Sequence, residues 1–179
     1  MAWTFFHELA RKSFHLLILV VLFLYVQIKD TYSTEIALLS VTALLLFFLI
    51  LDYVRLELDV RLSFVEFFLR PKEKKRMSGT IYFITATIIC LAVFDFRIAL
   101  TALLMTTFGD LAAALIGQKY GKKKIFKKKT LEGSGAGLLC NIVIGFLLLA
   151  ALTNIYVIIG MALTATIVEL ISDHLDDNL

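Results

Sequence analysis

A chain of 179 residues that is 60% hydrophobic and holds a single proline, with a mean hydropathy of +0.88, is too apolar to be a soluble globular domain. Its net charge of +3 comes from 18 Lys and Arg against 15 Asp and Glu, gathered between apolar runs rather than spread along the chain. The apolar runs are close to one bilayer crossing in length, and strict alternation of apolar and polar residues is confined to one short segment, so helices rather than a barrel satisfy the backbone in lipid. The expected fold is an all-α integral membrane protein: one polytopic domain over 1–179, a compact bundle of about six transmembrane helices.

In chain order, Trp3, Phe5 and Phe6 mark an interfacial start, and the first span covers 13–28. No small-residue cleavage site follows it, so it reads as an uncleaved helix rather than a secretory signal. A second span covers 36–53 and runs on into the charged segment 54–70. There two periods compete. Residues 54–62 alternate as a strand would, whereas Asp52, Arg55, Asp59, Ser63, Glu66 and Arg70 recur at helical steps. A lone strand beside lipid would leave its backbone unpaired, which favours the helix.

A third span at 80–94 and a fourth at 98–116 follow the basic turn around Pro71, with Gly109 and Asp110 expected to interrupt the fourth. After the loop 117–133 come a fifth span at 135–152, a sixth at 155–171, and an acidic tail holding Asp173, Asp176 and Asp177. Sixteen of the 18 basic residues fall in the N-terminal segment and in the loops after spans two and four. The positive-inside bias therefore puts both termini and the loops 54–78 and 117–134 in the cytoplasm. Cys90 and Cys140 lie inside spans with no CxxC spacing and point to neither a metal nor a redox site.

The chemistry concentrates between Gly109 and Gly137, which holds six of the nine glycines, seven lysines and the isolated acid Asp110. Glycines allow the backbone to approach a ligand, and free N–H groups at a helix start attract anions, so the stretch from Thr130 through Glu132, Gly133 and Ser134 to Gly137 reads as a phosphate cradle. The bland alternative is that Gly133 and Gly137 form a GxxxG packing face and that the lysines enforce topology or bind anionic headgroups. Asp110, placed about 9 Å below the end of span four, is costly in lipid unless it is paired with a cation or holds one. A hard cation such as magnesium takes oxygen ligands, and Glu169 near the end of span six offers a second carboxylate. Glu8, Arg11, Lys12 and His15 share one helix face entering the membrane. Snorkelling explains the two basic residues but not His15.

These pieces together resemble the CTP-dependent lipid kinases of the dolichol kinase, phytol kinase and yeast-type diacylglycerol kinase group. The resemblance rests on E-x-x-R-K-x-x-H at Glu8 to His15, D-x-x-R at Asp52 and Arg55, Ser78-Gly79-Thr80, and Gly109-Asp110 with Ala113. It continues through Gly117 and Gly121, Lys129-Thr130-Leu131-Glu132-Gly133-Ser134, and Glu169 with Asp177-Asn178-Leu179. The family pattern goes on past D-N-L into T-x-P and a further helix, where this sequence stops.

The resemblance implies magnesium-assisted transfer of the γ-phosphoryl group of CTP to a lipid hydroxyl. An isoprenoid alcohol of the polyprenol or dolichol type is preferred over phytol, geranylgeraniol and diacylglycerol. It assigns Asp110 and Glu169 to the metal or the base, with Lys129 and His15 as further catalytic residues. Arg11, Lys12, Arg55, Gly117, Gly121, Lys129, Thr130, Glu132, Gly133, Ser134 and Asn178 would contact the nucleotide. The expected partners are CTP, the lipid alcohol and the bilayer, and not nucleic acid. Rival readings are a CTP:lipid-phosphate cytidylyltransferase, which lacks here its usual paired aspartates after a basic-proline-glycine run, an ion-coupled transporter, and a non-catalytic scaffold on anionic lipid.

Overall fold

The structure, a computed structural model, describes residues 17–57, 76–126 and 129–175. It is helical apart from one small hairpin and divides into two compact units that meet in sequence between Phe94 and Asp95.

The first unit holds α1 (Leu17–Thr31), α2 (Thr34–Glu57) and α3 (Gly79–Val93). In α1 the residues Ile18, Leu22 and Tyr25 recur at helical spacing and are buried, and α1 packs on α2, where Ala37 and Val41 are buried. The tight turn between them is set by Ser33, whose Oγ accepts the Ile36 N–H at 3.3 Å. Helix α2 continues through Asp52 and Arg55 to Glu57, as the helical reading of the charged segment requires. The rest of that segment lies outside the described residues.

The second unit holds α4 (Phe96–Tyr120), β1 (Lys124–Phe126), β2 (Lys129–Thr130), α5 (Leu131–Leu149) and α6 (Ile155–Leu175). Asp95 starts α4 by accepting the Arg97 N–H at 2.9 Å. The strands pair antiparallel, with Lys124 opposite Thr130 and an irregularity before Phe126 meets Lys129.

Helix α4 runs unbroken through Gly109 and Asp110, contrary to the expected interruption. Its end at Tyr120 puts Asp110 ten residues, about 15 Å, from that terminus rather than about 9 Å. Helix α5 likewise begins at Leu131 rather than 135, with Gly133, Gly135 and Gly137 all inside it. Close packing explains why these glycines are tolerated. Down the seam of α4 and α5 a Cβ on Gly133 would lie 2.6 Å from the Ala113 carbonyl oxygen, and one on Gly137 would lie 3.1 Å from the Gly109 oxygen. A Cβ on Gly145 would lie 2.5 Å from Met105 Cε. Small residues at 109, 113 and 117 on α4 and at 133, 137 and 145 on α5 bring the backbones together, which is how helices associate where lipid removes the hydrophobic drive.

Outward faces carry large apolar side chains such as Leu147 and Tyr156, 76% and 78% exposed. The buried positions include Thr87, Thr101, Thr107, Asn141 and Thr166. The threonines spend their hydroxyl protons on their own helices, as Thr101 does on the Arg97 carbonyl at 2.7 Å. α2, α4 and α5 are each long and apolar enough to cross a membrane, and α3 and residues 155–171 of α6 are shorter apolar helices.

Candidate active site

In the second unit the hairpin delivers Lys129 and Thr130 directly to the start of α5. Thr130 is the N-cap: its backbone is extended, and its Oγ1 accepts the Gly133 N–H at 3.2 Å. The side chain is seated by Gly117 of α4 and by Gly121, the residue that caps its end. A Cβ on Gly117 would reach 3.0 Å from Thr130 Oγ1, and one on Gly121 would come within 2.6 Å of both Thr130 Oγ1 and Cγ2. Thr130, Gly117, Gly121 and Gly133 therefore form one knot in which the absence of side chains lets β2 dock on α4.

Glu132 ties the hairpin down from the other side. Its carboxylate accepts the backbone N–H groups of Lys122 and Lys123 at 3.1 and 3.3 Å, and the Leu131 N–H donates to the Lys123 carbonyl at 2.8 Å. Ser134 is buried in the first turn of α5.

Lys129 reaches across to α6. Its Nζ lies 2.6 Å from Glu169 Oε1 and also donates to the Glu169 carbonyl, with the two side chains only 16% and 17% exposed. The ion pair joins the basic hairpin to a carboxylate in the C-terminal half of α6. Asp110 stands half-buried on α4, one residue after Gly109 in the seam with α5. Around the hairpin Lys119, Lys122, Lys123 and Lys124 are exposed, with the Lys119 ammonium 5.2 Å from the centre of the Tyr120 ring. The second unit thus combines a basic surface able to attract anions, one lysine held inside by a carboxylate, and two acids on separate helices that contact each other.

Magnesium ordinarily binds through one or two carboxylates and completes its shell with phosphate oxygens and water, and Asp110 and Glu169 are carboxylates of that kind. Among the described residues there is no cluster of three His, Cys, Asp or Glu able to hold an ion alone, so a metal held by Asp110 and Glu169 would need the nucleotide's oxygens.

Arg55 sits in the first unit in a structural arrangement. Its guanidinium lies 2.9 Å from Asp52 Oδ1 and donates to the Arg76 carbonyl at 2.8 Å, while Asp52 Oδ2 accepts the Ser78 N–H at 2.6 Å. Asp52 and Arg55 are 4% and 8% exposed. Ser78 makes no side-chain cap to α3, so Asp52 caps that helix from α2. Arg11, Lys12, His15 and Asn178 lie outside the described residues.

Sequence reasoning passed over Asn141 and Thr166. The Asn141 amide donates to Thr166 Oγ1 at 3.2 Å, linking α5 to α6 inside the unit. The available signal was Asn141 itself, a strongly polar residue four positions after Gly137 in an apolar run.

The model of the cytidylyltransferase family matches residues 2–174. Among curated proteins the chain is similar to CTP-dependent diacylglycerol kinase 1 of Saccharomyces cerevisiae, 31% identical over 144 residues that make up 76% of this chain and 49% of that protein. It is also similar to CTP-dependent diacylglycerol kinase 1 of Schizosaccharomyces pombe, 34% identical over 76 residues, 41% of this chain and 35% of that protein. The chain therefore spans half or less of the length of these relatives. No solved structure matches it. The similarities bear out the resemblance to CTP-dependent lipid kinases carried by the motifs.

Proposed function

We propose, since the chain belongs to the cytidylyltransferase family, that it is a multi-pass membrane lipid kinase that uses CTP. Its acceptor is the hydroxyl of a membrane lipid alcohol, of the polyprenol or dolichol type. The observation that supports the reading is the Lys129–Glu169 pair, in which a lysine of the basic hairpin and a carboxylate of α6 lie 2.6 Å apart. The similarity to two CTP-dependent diacylglycerol kinases supports the donor and the reaction class. The positive-inside bias supports a cytoplasmic face for the hairpin and for both termini.

In the reaction the acceptor oxygen forms a bond to the γ-phosphorus as the bond from that phosphorus to the β–γ bridging oxygen breaks. CDP leaves, and the hydroxyl proton passes to a carboxylate, Asp110 or Glu169. Lys129 neutralises charge on the transferring group, and the exposed lysines of the hairpin draw the nucleotide in. Asp110 and Glu169 are the residues that would hold magnesium, which when bound supplies further neutralisation of the phosphate charge.

Two observations favour neighbouring readings. The relatives are named for diacylglycerol, which makes it the first alternative acceptor. The family description raises attachment of CMP to a lipid phosphate. Purified protein given magnesium and CTP labelled at the α or the γ phosphate separates all three, with polyprenols, phytol, geranylgeraniol, diacylglycerol and phosphatidic acid as acceptors. γ label in a polyprenol is the expected result, and γ label in diacylglycerol alone moves the acceptor. α label in phosphatidic acid, or no label in any lipid, refutes the kinase.

A further inference from the structure

The orientation of the Asn141 amide is decided by its neighbour. Thr166 Oγ1 donates its one proton to the Ala162 carbonyl at 2.9 Å, so toward Asn141 it can only accept. The amide nitrogen must therefore face α6, which turns Oδ1 toward α4. There Oδ1 fills the place a side chain at 109 would take: a Cβ on Gly109 would overlap it and lie 2.9 Å from Asn141 Cγ. Asn141 is 2% exposed, and Oδ1 has no hydrogen-bond partner among the described residues. A buried acceptor left without a donor is costly, and a native fold that keeps one calls for an explanation.

We infer that Asn141 is a positioning residue, a wedge between α4 and α6 that sets the rotation of the helices bearing Asp110 and Glu169. Asp110 follows Gly109 by one residue, about 100° round the helix, so whatever holds Gly109 against α5 fixes the direction in which Asp110 leaves α4. Thr166 precedes Glu169 by three residues, close to one turn, so the same amide orients the other carboxylate through α6. Glycine at 109 is required because the wedge occupies its side-chain space. The role in turnover rests on the kinase reading; the wedge does not.

The test uses the full chain in lipid nanodiscs. Gly109→Ala lowers the thermal midpoint by about 4 °C or more, and Gly109→Ala/Asn141→Ala recovers most of that loss because the added methyl enters the vacated space. Asn141→Ala and Thr166→Val lower kcat for γ-phosphoryl transfer by about 10- to 100-fold, the effect of a misplaced reacting group. Thr166→Ser, which keeps the acceptor for the amide, retains most of kcat. Additive thermal effects overturn the wedge, and an unchanged kcat in Asn141→Ala overturns its positioning role. A wild-type protein that transfers no γ label overturns the kinase reading instead, and the thermal cycle alone then decides the wedge.

Discussion

Gly133→Ala and Gly135→Ala are two residues apart on α5 and should move stability in opposite directions. A methyl at 133 would stand 2.6 Å from the Ala113 carbonyl oxygen and 3.0 Å from Gly117 Cα, both backbone atoms that no rotamer change can clear. An ordinary carbon–oxygen contact is about 3.3 Å or more, so α4 and α5 must part locally by about 0.7 Å. A gap of that size forfeits roughly a quarter to a half of the dispersion at the seam. Overpacking of this kind costs about 1–3 kcal/mol, against which alanine returns about 1 kcal/mol of helix propensity. Gly133→Ala is thus expected to lose up to roughly 2 kcal/mol, lowering the thermal midpoint by up to about 4–8 °C. Gly135 is exposed and a Cβ there meets nothing within 4 Å, so it collects only the propensity gain. The check is a thermal melt of both variants in one detergent, followed by intrinsic fluorescence. A Gly133→Ala protein as stable as Gly135→Ala would refute the view that this glycine serves helix packing.

Three further outcomes are expected. Lys129→Met and Glu169→Gln should each destabilise the second unit by about 2–4 kcal/mol, since each breaks a largely buried ion pair. The double variant should cost clearly less than the sum, as a double-mutant cycle on thermal melts will show. Asp52→Ala removes the acceptor of the Ser78 N–H and the partner of Arg55, so amide exchange at Gly79 to Tyr82 should accelerate by about 10-fold or more. Glu132→Ala frees the Lys122 and Lys123 N–H groups, and trypsin should then cut the hairpin faster at these lysines while the helices stay intact.

Much of this protein was legible without coordinates, because lipid imposes a strong and local rule: each apolar run must close its own hydrogen bonds. Residues 80–94 and 155–171 were placed nearly to their observed bounds for that reason. The motifs, being local strings, carried the resemblance that the family match then bore out. Where local cues conflicted, the reading failed. Gly109 signals both a broken helix and a close helix contact, and Gly133 both a phosphate cradle ahead of a helix and a packing face within one; only the partner helix decides between them. Once Ala113, Gly117 and Thr130 stand within reach, the expected break at Gly109 is gone, and Gly133 and Gly137 take the packing role that their GxxxG spacing allowed. The pairing of Lys129 with Glu169, forty residues apart, depends on how α6 returns beside the hairpin. The capping of Ser78 by Asp52 and the wedge of Asn141 between Gly109 and Thr166 are of the same kind. By itself the sequence determined helices, a membrane setting and a set of charged residues. Which charge meets which, and which glycine faces which backbone, was decided only by tertiary packing, since such contacts join residues with no shared local period.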